Sequence, residues 1–287
     1  KKLYHFAADY QYQFEDSAGF GWECQPAVFN WTTLVRNKQA EIARLNDIYL
    51  KLLEKSGAIL YRSHATIRGS HTVEVGGKVI TANNILIATG GWPHIPDVPG
   101  SELAISSNAV FDLPEFPQRI LVIGGGYIAV ELASIFAGLG ADTVLSYRGN
   151  RLLKEFDPDV GSRLGTALQA HMQVLMQSNI TAISKTSSGK LMVESPEDTL
   201  DEFDQVIYAT GRVPNTGNLG LESVDVELGR NGAIVVDENF QTTESGIYAL
   251  GDVVGRMALT PVALAEGMVL VDHLYGEGKR KINYHNI

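Results

Sequence analysis

Residues 122–154, "VIGGGYIAVELASIFAGLGADTVLSYRGNRLLK", close an apolar strand, turn on Gly124, Gly125 and Gly126, and run into a helix-forming stretch. A second apolar strand follows and delivers the chain to three basic residues. Gly124, Gly126 and Ala129 make the spacing G-x-G-x-x-A between strand and helix. The first glycine permits the tight turn, the second lets a pyrophosphate approach the backbone, and the small third residue lets helix and strand pack closely. The helix N-terminus adds unpaired N–H groups and about half a positive charge. The stretch reads as the phosphate-binding turn of a βαβ unit.

The end of the second strand separates the two nicotinamide nucleotides. An NAD site places Asp or Glu there to accept from the ribose 2′-hydroxyl. Positions 143–154 hold no carboxylate, and Arg148, Arg151 and Lys154 are all basic. A carboxylate would repel a 2′-phosphate, whereas a charge-assisted bond from Arg148 is worth about 1.5–3 kcal/mol. NADPH is the expected nucleotide.

Working outward, "DPDVGSRLGTALQAHMQVLMQ" (157–177) opens a helix with Asp157 as N-cap and Pro158 as first helical residue. Strand-like runs follow at "NITAIS", "KLMVES" and "FDQVIYATG", which predicts a βαβ domain with an added antiparallel hairpin. Upstream, residues 31–56 space Trp31, Leu34, Val35, Ile42, Leu45, Ile48, Leu52 and Leu53 as one face of an amphipathic helix stopped by Gly57. Then come "AILY", the hairpin "TVEV-GG-KVIT" turning on Gly76–Gly77, and "NILIAT". "GGWPHIPDVPG" (90–100) reads as an extended linker. The runs "ILIATGGWP" (85–93) and "VIYATGRVP" (206–214) echo each other, with "GIYALGD" (246–252) as a third related run, suggesting two nucleotide-binding domains in one chain.

Composition narrows the function class. The chain has 287 residues, 45% apolar and 20% charged, and a formal charge of −10, which argues against a general affinity for nucleic acid. No apolar run approaches the ~20 residues of a membrane helix, and the first residues lack the apolar core of a signal peptide, so no membrane partner is expected and the cytoplasm is the default location. The one cysteine, Cys24, can form neither an intrachain disulfide nor a cysteine-only metal site, and it reads as a partly buried structural thiol. No metal site is expected.

The motifs "RLNDIY", "ILIATGG", "GGGYIAVELA", "ATGRVPNT", "GIYALGD" and "LTPVALAEG", in this order, resemble those of the flavin-dependent pyridine nucleotide–disulfide reductases, most closely the glutathione reductases, over essentially the whole chain. The resemblance implies an α/β fold of two Rossmann-like domains, one for FAD and one for NADPH, the second inserted in the first. The implied boundaries are 1–116 for the first part of the FAD domain, 117–239 for the NADPH domain, 240–281 for the return of the FAD domain, and 282–287 for the start of an interface domain that forms a homodimer. It implies that Asp252 binds the FAD ribityl chain and that Thr260 starts a helix beneath the flavin. Ala65, Thr89 and Gly90 would line the FAD. Tyr127 would cover the flavin until nicotinamide displaces it, with Ile128, Glu131, Gly211 and Ala258 around the nicotinamide and Lys1 paired to Glu131. Arg148 and Lys154 would hold the 2′-phosphate; the second position is usually arginine, so Lys154 weakens the forked grip. Ile48 and Tyr49 match the glutathione-contacting helix, whereas Met268 stands where many glutathione reductases carry an arginine, which leaves room for a related disulfide such as a polyamine-conjugated glutathione.

In these reductases a C-x-x-x-x-C pair precedes a Val-Pro-Lys-Lys segment, and a His-Pro motif lies in the interface domain. This chain begins "KK" and has neither, so it is expected to be a piece of a larger reductase. The alternatives are a non-catalytic NADPH- and FAD-binding module and a flavin electron-transfer protein. Dihydrolipoamide dehydrogenase, close in chemistry, should show an acidic residue near Tyr147 or Arg148.

Overall fold

The computed structural model describes residues 1–23, 27–196 and 199–285; Cys24, and with it the structural-thiol reading, lies outside them. Two helices open the chain. α1 (Lys2–Ser17) is an element that the sequence reading did not anticipate. α2 (Trp31–Lys55) is the expected amphipathic helix. Asn30 caps α2, its Oδ1 accepting the Thr33 N–H at 2.8 Å, and Gly57 ends the run in the left-handed region at φ +78°.

β1 (Ala65–Gly69), β2 (Thr72–Val75) and β3 (Lys78–Thr81) form an antiparallel meander, with the β2–β3 turn on Gly76 and Gly77, both at positive φ. "AILY" is not a strand: Ile59, Leu60 and Tyr61 are exposed and no ladder pairs them. β4 (Ile85–Ile87) follows, and the expected linker carries a short strand, β5 (Gly91–Pro93).

The chain then builds β6 (Ile105–Ser106), β7 (Arg119–Ile123), α3 (Tyr127–Gly138), β8 (Asp142–Tyr147), α4 (Pro158–Leu168) and β9 (Gln173–Met176). Asp157 caps α4 as expected, accepting from the Asp159 N–H at 2.8 Å. The helix stops at Leu168, and β9 replaces what reads as helical continuation, because 173–176 can pair with β8. β10 (Ala182–Lys185), β11 (Leu191–Glu194) and β12 (Thr199–Phe203) make a three-stranded antiparallel sheet rather than a hairpin. β13 (Gln205–Tyr208), β14 (Arg212–Pro214), β15 (Ile247–Ala249) and α5 (Thr260–Tyr275) complete the fold.

The chain divides into two compact units, Lys1–Leu52 with Pro93–Gly211 and Leu53–Trp92 with Arg212–Ile287. In the first, five parallel strands run in the order β6-β13-β7-β8-β9. Parallel strands buried on both faces read as continuous apolar runs, and β7 shows why. Ile120 and Val122 join the core beneath α1, α2 and α3, while Leu121 and Ile123 join the core beneath β10–β12. α1 belongs here because Tyr4 and Ala8 are buried against α3; a Cβ on Gly138 would lie 2.8 Å from that of Ala8.

In the second unit β4 and β15 pair in parallel and β5 pairs with β14. Ile247 and Ala249 face a core with Ile67, Ile85 and Ile87, and Tyr248 faces another with Phe240, Val269 and Leu270. Residues 212–239, expected to belong with the NADPH domain, pack in this unit: Leu219, Leu221 and Ile234 fill the core of Ile67 and Ile247, and the Leu219 carbonyl accepts the Ile67 N–H at 2.8 Å. Among the described residues no helix is long and apolar enough to cross a membrane.

Candidate functional site

In the first unit the glycine turn sits between β7 and α3, where the sequence places it. Gly124 has φ +148°, and a Cβ there would meet the Ala209 carbonyl oxygen at 2.3 Å and Ala129 Cβ at 3.1 Å. Position 124 thus requires glycine and position 129 a small residue. Gly126 is the N-cap of α3; no side chain caps that end, and a Cβ on Gly126 would meet nothing within 4 Å. The result is an open, bare helix N-terminus whose N–H groups remain available to an anion.

The basic loop is tied to that turn by contacts the sequence did not announce. The Leu153 N–H donates to the Gly125 carbonyl at 2.7 Å, with Leu153 at φ +52°. Arg151 Nη2 donates to the Lys154 carbonyl at 3.0 Å. The Tyr147 ring lies where a Cβ on Gly125 (2.6 Å) or on Gly149 (2.5 Å) would fall, so both glycines make room for it. Arg148 and Lys154 are exposed. Arg151 thus shapes the loop through its contact with the Lys154 backbone.

Beside the turn on α3, Lys1 Nζ forms an ion pair with Glu131 and lies 5.6 Å from the Tyr127 ring centroid. Tyr127 is 45% exposed, a high value for an aromatic at a helix start. Ile128 is half-buried in the same turn, and Gly211, at φ +118°, accepts the His94 N–H at 3.0 Å. Ile48 and Tyr49 are exposed on α2.

The second unit gathers the rest. Thr89 Oγ1 donates to the Asn215 carbonyl at 2.7 Å, and the Gly90 carbonyl accepts the Asn215 N–H at 2.9 Å, with Gly90 at φ +71°. Asp252 follows β15 in a turn whose Gly251 has φ +74°. Its Oδ2 lies 3.8 Å from Arg212 Nε, a partner that sequence spacing could not name. Thr260 is the first residue of α5, which no side chain caps and which carries Pro in its first turn; Ala258 is exposed just before it. Ala65 opens β1 opposite Val75. Glu266, within the "LTPVALAEG" run, is 1% exposed.

The residues present fit two nucleotides: a bare glycine turn with an adjoining basic loop for one, and an acidic strand end with an uncapped helix start for the other. Among the described residues no group of three His, Cys, Asp or Glu side chains could hold a metal ion. Fold and site together define an α/β dinucleotide-binding protein.

The chain matches the family described as pyridine nucleotide-disulphide oxidoreductase over residues 7–267. It belongs to that family. It is 43% identical over its full length to a glutathione reductase of Burkholderia cepacia, covering 64% of that protein. To the chloroplastic/mitochondrial glutathione reductase of Pisum sativum it is 40% identical, covering 52% of it, and to trypanothione reductase of Trypanosoma congolense 37%, covering 62%. The solved structure of the HOCl-induced flavoprotein disulfide reductase RclA of Escherichia coli in complex with Cu(II) superposes with a TM-score of 0.85 at 25% identity, over 98% of this chain and 61% of that one. The chain thus spans between half and two thirds of the length of these relatives.

Proposed function

We propose that this chain is the nucleotide-binding part of an NADPH-dependent flavoprotein that reduces glutathione disulfide or a related small disulfide. The observation that carries the reading is the basic loop of Arg148, Arg151 and Lys154, free of carboxylates and hydrogen-bonded through Leu153 to the glycine turn at Gly125. On this reading residues 117–211 hold NADPH, and the second unit supplies much of the FAD site. The identities to glutathione and trypanothione reductases support the substrate class.

Bound FAD supplies a hydride acceptor that can pass an electron pair on to a disulfide. The chain's own residues bind and orient. Gly124–Gly126 and the start of α3 take the pyrophosphate, while Arg148 and Lys154 select the 2′-phosphate. Glu131 holds the Lys1 ammonium beside Tyr127, whose exposed ring would cover the bound flavin and give way to nicotinamide. The resemblance to the family assigns Ile128, Gly211 and Ala258 to the nicotinamide. Asp252 accepts from a ribityl hydroxyl, Ala65, Thr89 and Gly90 border the adenosine and pyrophosphate, and the start of α5 at Thr260 favours negative charge. Ile48 and Tyr49 contact the disulfide substrate. The full reaction consumes NADPH, one proton and one disulfide and yields NADP⁺ and two thiols. A cytosolic homodimer completes the proposal.

The test is NADPH oxidation by the full-length protein with glutathione disulfide, with a polyamine-conjugated glutathione disulfide, and with neither. Disulfide-dependent turnover is the expected result. Peroxide formation from NADPH and oxygen at the same rate without disulfide would instead identify a flavin oxidase.

A further inference from the structure

Glu266 is a buried carboxylate that the proposed reaction does not use. It lies in the second turn of α5, 1% exposed, and no lysine or arginine contacts it directly among the described residues. Its Oε2 accepts the Gly251 N–H at 2.7 Å, and its Oε1 accepts the Tyr284 hydroxyl at 2.7 Å. Arg256 extends the chain of contacts. Its Nη1 reaches the Tyr284 hydroxyl at 3.4 Å, its Nη2 donates to the carbonyls of Val236 and Asp237 at 3.1 and 3.0 Å, and its guanidinium lies over the Phe240 ring.

Burying a carboxylate is costly unless charge-assisted hydrogen bonds satisfy it. Here two donors do so, and one of them is the backbone of the turn that presents Asp252. Gly251 sits in the left-handed region at φ +74°, which aims its N–H into the core rather than along β15. The same turn rests on α5, where a Cβ at Gly251 would touch Ala263 Cβ at 3.3 Å. Burial above all raises the Tyr284 hydroxyl above its usual range, so it stays protonated and able to donate.

We infer that Glu266 is a positioning residue for the flavin: through the Gly251 N–H it locks the turn carrying Asp252 to the helix that begins at Thr260, with the Tyr284 hydroxyl, itself met by Arg256, holding its second oxygen. This rests on the FAD assignment proposed above. Two elements expected at the same cofactor, the Asp252 turn and the start of α5, are thereby fixed to each other by one side chain.

The experiment follows the Gly251 amide by nitrogen–proton NMR and hydrogen exchange, and titrates the apoprotein with FAD by flavin fluorescence, for wild type, Glu266→Leu, Glu266→Gln, Tyr284→Phe and the control Asp252→Ala. Glu266→Leu should speed exchange at Gly251 and weaken FAD binding about tenfold or more. Glu266→Gln keeps an acceptor for Gly251 but loses the charge, so it should fall between the two in both readouts. Should the leucine variant fail to fold, Glu266→Gln and Tyr284→Phe decide, since both keep the shape of the site. A Gly251 amide unchanged in the glutamine variant would overturn the inference. So would FAD affinities equal to wild type in the Glu266 variants while Asp252→Ala loses FAD. Wild-type protein that takes up no FAD, yet shows the Gly251 amide responding to Glu266, would sink the flavin assignment instead.

Discussion

Replacing Arg148 with alanine isolates the choice between the two nicotinamide nucleotides. Arg148 is exposed at the end of β8 and makes no hydrogen bond or ion pair within the protein among the described residues. Its removal should therefore barely affect the fold: substitutions at such surface positions stay within about 0.5 kcal/mol, a melting shift of about 2 °C or less. The effect on the ligand is larger. A charge-assisted bond to a phosphate is worth about 1.5–3 kcal/mol, and solvent screening puts an exposed arginine near the lower end, which corresponds to about a tenfold loss of NADPH affinity. Lys154 remains to hold part of the phosphate charge, so the double variant Arg148→Ala/Lys154→Ala should lose more. NADH, which has no 2′-phosphate, should bind nearly unchanged to all three proteins. Calorimetric titration with NADPH, NADH and adenosine 2′,5′-bisphosphate measures this directly, and the NADPH term should shrink as salt rises. Equal losses for NADPH and NADH, or none for NADPH, would refute the 2′-phosphate assignment.

Gly138→Ala should destabilise the first unit by about 1–3 kcal/mol, because a rigid Cβ at 2.8 Å from Ala8 overpacks the α1–α3 contact by more than alanine's helix propensity recovers at a helix end. Thermal melts should show the loss, and Ala8→Gly in the same chain should restore much of it; a neutral Gly138→Ala would mean that α1 does not pack there. Asp204 accepts the N–H groups of Gln118 and Arg119, each at 2.9 Å, and pairs with Lys190. Burial opposes its ionisation, but the Lys190 and Arg119 hydrogen bonds outweigh it and hold the carboxyl below the ordinary range. A depressed carboxyl stabilises the fold above its unfolded value near 3.9 and ceases to do so as pH falls through the lower folded value. Asp204→Asn should thus cost about 1–3 kcal/mol at neutral pH and flatten the loss of stability below about pH 4; an unchanged acid limb in denaturant titrations would contradict it.

What the chain order alone determined are features decided between near neighbours. The glycine turn, the Asp157 cap, the Gly76–Gly77 hairpin and α2 with its Gly57 stop depend on backbone sterics and hydrogen bonds within a few residues, so local spacing suffices to read them. The acid-free, basic end of β8 was legible for the same reason. Strand membership was legible only in part, because a strand needs a partner. "AILY" has the right composition but joins no strand ladder, while 173–176 reads as helical and forms β9 because β8 offers it an edge. Tertiary structure also decided that α1 and α2 pack in the unit with β7, that residues 212–239 leave it for the other, and that the Leu153 N–H meets the Gly125 carbonyl. Glu266 is the sharpest instance. As a letter in a helix it is an ordinary surface residue, and only the approach of Gly251 and Tyr284, 15 and 18 positions away, makes it a buried anchor. Contacts between distant segments are set by how the sheets and helices stack, and one-dimensional spacing carries no record of that stacking.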